Sequence, residues 1–134
     1  MSKLLKLAAA AALVSPAWAQ DDGRLRIGLL LPLTGPFAST GKQMDSAIKL
    51  FVAQNGDMVA GRKLELIIKD DTGNADVARR LAQELIVNDK VNFIAGFGVT
   101  PAALAAAPLA TQAKVPQIVM AAGTSIITER SPYI

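Results

Sequence analysis

The chain has 134 residues, 51% hydrophobic and 19% charged, with a formal net charge of +3 and neither cysteine nor histidine. Without those two residue types the usual zinc sets, the Ser-His-Asp triad and Cys-His nucleophile pairs cannot be built, and no disulfide can staple the fold, which must rest on an apolar core. The charge is no argument for nucleic acid: 14 basic side chains less Lys3 and Lys6 leave 12 against 11 acidic ones beyond residue 19, and no basic stripe is interleaved with aromatics.

The first residues have a pattern of their own. Lys3 and Lys6 flank the start of an apolar run over 7–14, which is followed by the small-residue pattern Ala17-Trp18-Ala19. This is the signature of a cleaved secretory signal peptide over residues 1–19. The run is far short of the roughly 20 residues a membrane-spanning helix needs, and it lacks the polar face of a helix packed on a core. Export is expected, with a mature N-terminus at Gln20.

Residues 25–31 (LRIGLLL) are nearly all apolar after Arg26, as in a strand covered on both faces, and the run stops at Pro32. A glycine-rich loop, LTGPFASTGKQ over 33–43, comes next. Met44, Ala47, Ile48, Phe51 and Val52 then recur at helical spacing until Asn55-Gly56. Residues 63–69 (KLELIIK) alternate as a second strand and run into the polar loop DDTGN at 70–74. A second helix carries the stripe Val77, Ala78, Leu81, Ala82, Leu85 and Ile86, with Asn74 or Asp76 at its start as cap or dipole partner and Lys90 at its far end.

Residues 91–95 (VNFIA) read as a third strand ending at Gly96. Thr100-Pro101 opens a third helix as hydroxyl cap and first-turn proline. Pro108 predicts a kink or restart within 102–113, because it cannot donate to the Leu104 carbonyl. A fourth strand, QIVM at 117–120, leads into the small-residue loop AAGTS at 121–125.

This alternation predicts an α/β fold, an open parallel sheet with helices on both faces. Every loop rich in Gly, Ser, Thr or Asp follows a strand and so lies at the carboxyl edge of the sheet, where open α/β sheets bind ligands. The first loop comes close to a phosphate-binding loop and misses. Five residues instead of four separate Gly35 from Gly41, and Gln43 stands where a hydroxyl should reach magnesium. Gly96 and Gly98 make a GxG with no third glycine, which is weak support for a dinucleotide. Asp70 and Asp71 are adjacent, hence on opposite sides of a strand, and DDTGNAD lacks the closing glutamate of a calcium loop, so capping the next helix and solvating the loop is their expected role. No G-x-S-x-G nucleophile elbow occurs. The reading is of a binding protein, not an enzyme, with no cofactor and no metal.

The segments IGLLLPLTGPFASTGKQ, KLELIIKDDTGNADVARRLAQELI and FIAGFGVTPAALAAAPLATQAKVPQI together resemble the branched-chain amino-acid (Leu/Ile/Val) binding proteins of bacterial ABC importers, which have the type I periplasmic binding fold. The resemblance covers residues 25–134 and rests on the order of its motifs, above all the strand-PLTG-x-x-A-x-x-G loop and the strand-DD-x-x-x-x-x-x-A element. It implies that residues 20–134 are the N-terminal lobe of a two-lobed solute-binding domain, with the second lobe missing from this chain. It also implies a periplasmic location, a small-molecule ligand (an amino acid or small carboxylic acid) and an ABC permease in the inner membrane as partners, with no nucleic acid. The alternative is a ligand-sensing lobe of a receptor or regulator of the same fold.

Matched by motif, Thr100 falls where a family hydroxyl follows the third strand, and Ala122 and Thr124 fall where a backbone group and a hydroxyl follow the fourth. The resemblance implies that these hold the ligand's carboxylate and ammonium, and that the loop from Phe37 to Thr40 lines the pocket. Taken as residues alone, Thr100 is either a helix cap or a ligand group, Thr124 a ligand group or a plain turn, and Phe37 and Phe97 pocket wall or core. Many relatives carry Asn-Ser or Ser-Ser before the third helix, where this chain has Gly98-Val99-Thr100 with Phe97 beside them. An aromatic acid stacked on Phe37 and Phe97 therefore stands as a ligand beside the branched-chain amino acids.

Overall fold

The computed structural model describes residues 23–134; the expected signal peptide and the mature terminus at Gln20 lie outside the described residues. The elements in chain order are β1 (Arg24–Leu31), α1 (Ala38–Asn55), β2 (Met58–Val59), β3 (Arg62–Asp70), α2 (Ala75–Val87), β4 (Phe93–Gly96), α3 (Thr100–Ala113), β5 (Gln117–Val119) and α4 (Ile126–Glu129). They build a five-stranded sheet in the order β2-β3-β1-β4-β5. The central β1 pairs in parallel with β3 along its whole length and with β4 from Ile27↔Phe93 to Leu30↔Gly96, and β4 pairs in parallel with β5.

Successive side chains of a strand point to opposite faces, and the leucines of β1 use this to seed two clusters. Leu30 packs with Leu81, Leu85, Ile94 and the alanines of α3, while Leu29 and Leu31 pack with Met44 and Ala95 on the α1 side. A leucine buried as fully as Leu30 contributes about 1.5–3 kcal/mol. The α2 stripe is buried at Ala78, Leu81, Ala82 and Leu85, against Ala102, Ala103, Ala106 and Ala110 of α3. On the other face α1 buries only Gly41 and Met44, and Phe51 is 64% exposed. There the apolar stripe borders a groove of about 480 Å³ that Leu25, Ile27, Leu66 and Phe93 floor from the sheet.

Several local expectations are corrected. The strand β2 is not visible as a periodic run, since two exposed residues show no alternation; it forms because Ala60 and Gly61 both take positive φ and close a tight hairpin onto β3. Helix α1 begins at Ala38, so Thr40 lies in its first turn instead of a loop. The missing side chain of Gly41 permits this, for a Cβ there would fall 2.1 Å from the Pro32 carbonyl oxygen. Helix α3 runs through Pro108 without a break, because Pro108 is exposed and the absent donor costs one hydrogen bond at the Leu104 carbonyl while the rest of the helix stays packed. The cap of α2 is Asn74, which accepts from the N–H groups of Asp76 and Val77 at 2.9 and 3.2 Å. Lys90 lies beyond the end of α2. No basic residue stands in the last turn of α2, and the cation near that end is Lys69 of β3, which bonds the carboxylates of Glu84 at 2.6 Å and Asp89 at 2.8 Å. Burial works against the Lys69 charge, but its bonds to Asp89 and Glu84 prevail and raise its pKa.

Candidate functional site

Because β3, β1, β4 and β5 are neighbours and parallel, the segments after each of them meet along one edge of the sheet. These are residues 32–37, 71–74, 97–99 and 120–125. All the sequence-predicted site residues lie in them or in the helical turn that follows.

At the β1/β3 corner Asp70 organises two loops. Its Oδ1 accepts from the N–H groups of Leu33 (2.8 Å), Thr34 (3.3 Å) and Thr72 (2.8 Å), and its Oδ2 accepts from the Thr34 hydroxyl at 2.6 Å. Burial pushes the Asp70 carboxyl up, but the Thr34 hydroxyl and the three N–H groups outweigh it and hold the carboxyl below its usual range. Asp71 is fully buried. Burial raises its pKa, the Gly73 N–H at 2.9 Å offsets this in part, and the Asp70 charge adds to the rise. Its other oxygen has no hydrogen-bond partner. Neither aspartate caps α2 by its side chain, and the role of Asp70 in fastening the first loop was not legible in the sequence. The only signal for it is the pairing of Leu31 with Asp70, which sets Asp70 beside the residues that follow β1.

Phe37 stands at the N-cap position of α1 with its side chain 46% exposed. Its ring lies against Gly73: a Cβ placed there would come within 2.7 Å of Phe37 Cδ2. Thr40, half-buried, follows in the first turn of α1.

The β4/β5 corner is fastened differently. The N–H of Phe97 donates to the Leu30 carbonyl at 2.8 Å, that of Met120 to Gly96 at 2.8 Å and that of Ala122 to Phe97 at 3.1 Å. The Ala122 N–H is thus engaged, which leaves its carbonyl as the backbone group free to meet a ligand. Thr100 is not a cap. Val99 holds the N-cap position in extended conformation, Thr100 is already helical, and no side-chain cap bond forms. Among the described residues, the hydroxyls of Thr100 and Thr124 are without hydrogen-bond partners. Both are half-buried. At Thr100 the first N–H groups of α3 are unpaired and carry partial positive charge, apart from Ala103, whose N–H closes on Val99 at 3.2 Å.

Phe97 corrects the expectation of a pocket ring. Its side chain is 0% exposed, in the cluster with Leu30, Leu81 and Ile94, where the small alanines of α3 leave the volume that the ring fills. Phe37 is therefore the aromatic ring that remains available at this edge. The groove under α1 offers no rival acid site, for the side chains lining it are all apolar.

Residues 24–134 match the family model described as periplasmic binding protein. Leu/Ile/Val-binding protein homolog 6 of Brucella abortus is 39% identical over 112 residues, which cover 82% of this chain and 28% of that protein. The crystal structure of a solute binding protein of an ABC transporter from Rhodopseudomonas palustris BisB5, in complex with 3,4-dihydroxybenzoic acid, is 71% identical with a TM-score of 0.83, covering 84% of this chain and 31% of that one. A second R. palustris solute binding protein, in complex with 4-hydroxybenzoate, is 43% identical with a TM-score of 0.79, covering 83% of this chain and 30% of that one. The chain thus spans less than a third of the length of each of these three proteins.

Proposed function

The chain belongs to the periplasmic binding protein family, and from that premise we propose that it is the N-terminal lobe of a two-lobed, exported solute-binding protein that captures a hydroxybenzoate-type aromatic acid and delivers it to an ABC permease in the inner membrane. The observation that carries the ligand class is the 71% identity to the protein crystallised with 3,4-dihydroxybenzoic acid. Three features of the edge support it. The Thr100 and Thr124 hydroxyls, together with the start of α3, offer donors and partial positive charge to a carboxylate. Phe37 offers the half-exposed face of an aromatic wall. The loops gather along one edge of the sheet, and a second lobe closing over that edge would bury the rest of the ligand.

The second reading is a branched-chain amino acid, favoured by the Brucella relative's name. In that case the Ala122 carbonyl would accept from the ammonium group, and Phe37 would meet an aliphatic side chain. Calorimetric titration of the intact protein with 3,4-dihydroxybenzoate, 4-hydroxybenzoate, leucine and isoleucine separates the two. Micromolar or tighter binding of a hydroxybenzoate with no heat from leucine is expected. Tight leucine binding with no response to either benzoate would replace the first reading by the second.

A further inference from the structure

Resting on the reading of Phe37 as one wall of the ligand site, we propose that Gly73 is a positioning residue: by carrying no side chain it fixes where the Phe37 ring lies, and so sets the preference for an aromatic ligand. Phe37 and Gly73 come from different loops, one after β1 and the other after β3. A Cβ at Gly73 would meet three ring atoms, Cδ2 at 2.7 Å, Cε2 at 3.5 Å and Cγ at 3.6 Å. Side-chain carbons do not approach to 2.7 Å, so any larger residue must move the ring or the loop.

The need for a left-handed backbone does not by itself explain this close approach. Gly23, Gly56 and Gly61 also have positive φ, and a Cβ at any of them would meet nothing within 4 Å. Among the described glycines at positive φ, Gly73 alone faces an aromatic ring. The neighbouring Thr72 takes φ 53 with a side chain, so this loop tolerates a left-handed residue other than glycine. Both loops are also fastened, the first by Thr34 bonding to Asp70 and the second by Thr72 bonding to Asp70 and Gly73 to Asp71. With its surroundings fixed, the ring has Gly73 as its seat.

A double-mutant cycle on the intact protein tests this, with 3,4-dihydroxybenzoate as the titrant. Gly73→Asn is the variant of choice, because asparagine accepts a left-handed backbone while still bringing a Cβ against the ring. Displacing the ring from its seat should weaken binding about three- to tenfold. Phe37→Ala should do the same, and adding Gly73→Asn to Phe37→Ala should cost nothing further. Thermal melts of all four proteins accompany the cycle, since backbone strain at residue 73 would persist with or without the ring. Additive losses, or full affinity in Gly73→Asn beside a loss in Phe37→Ala, would overturn the positioning role. Full affinity in Phe37→Ala would instead overturn the aromatic wall, and the role of Gly73 with it.

Discussion

The two corners of the sheet's carboxyl edge are built in opposite ways. At the β1/β3 corner one carboxylate takes four hydrogen bonds from two loops, and a glycine seats an aromatic ring between them. At the β4/β5 corner only backbone bonds tie the loops, and two threonine hydroxyls are left over. The first arrangement suits a wall that must already be in place when a ring arrives, because ordering it on binding would cost affinity. The second keeps polar groups available for a charged ligand, which can replace the water that solvates them in the open lobe.

If the first corner is rigid because of Asp70, removing that carboxylate should give the largest effect. Asp70→Ala leaves three N–H groups and a hydroxyl without their acceptor, and should cost about 2–3 kcal/mol of stability, read by urea denaturation. The second corner should respond in affinity instead. A hydroxyl bonded to a carboxylate is worth about 1.5–3 kcal/mol, so Thr124→Val should weaken 3,4-dihydroxybenzoate binding roughly ten- to a hundredfold by calorimetry, with an unchanged melting temperature. Thr100→Val sharpens the contrast further. A capping threonine would cost about 1 kcal/mol when removed, but Thr100 makes no cap bond, so this variant should lose affinity without losing stability. A melting temperature lowered together with the affinity would return Thr100 to a structural role.

Acid should distinguish the two aspartates of the first corner, with the smallest effect. The folded pKa of Asp70 is depressed, so its contribution to stability is present above the ordinary carboxylate value and lost as pH falls through the folded one. That of Asp71 is raised, so its contribution is complete below the ordinary value and lost as pH rises through the folded one. Acidification from neutrality should first stabilise the protein as Asp71 takes a proton, then destabilise it below about pH 4 as Asp70 does. Asp71→Asn should abolish the rise and keep the fall in a denaturation series across that range.

The parallel strands and the three long helices were legible in the sequence because each depends on local pattern, apolar runs for buried strands and helical spacing for Leu81 and Leu85, whereas the two-residue β2 and the short α4 carry no such run. The missing parts depend on which loops become neighbours. The bonds of Asp70 to Leu33 and Thr34 and the seat of Phe37 on Gly73 follow from β3 lying beside β1, which no local run encodes. Phe97 was ambiguous for another reason, since an aromatic residue at a strand end suits core or crevice equally until the packing of α3 is known. The cap of α3 moved by one residue, from Thr100 to Val99, a shift that composition around a helix start cannot resolve.

The division of labour between the corners is tested most directly by the preference for an acid over its neutral counterpart. The intact protein and its Thr100→Val/Thr124→Val variant are titrated calorimetrically with 3,4-dihydroxybenzoate and with 3,4-dihydroxybenzamide, which share the ring and differ in charge. The wild-type protein should favour the acid strongly, and the double variant should lose most of that preference while binding the amide nearly as before. An acid preference unchanged in the double variant would contradict a carboxylate site at the β4/β5 corner.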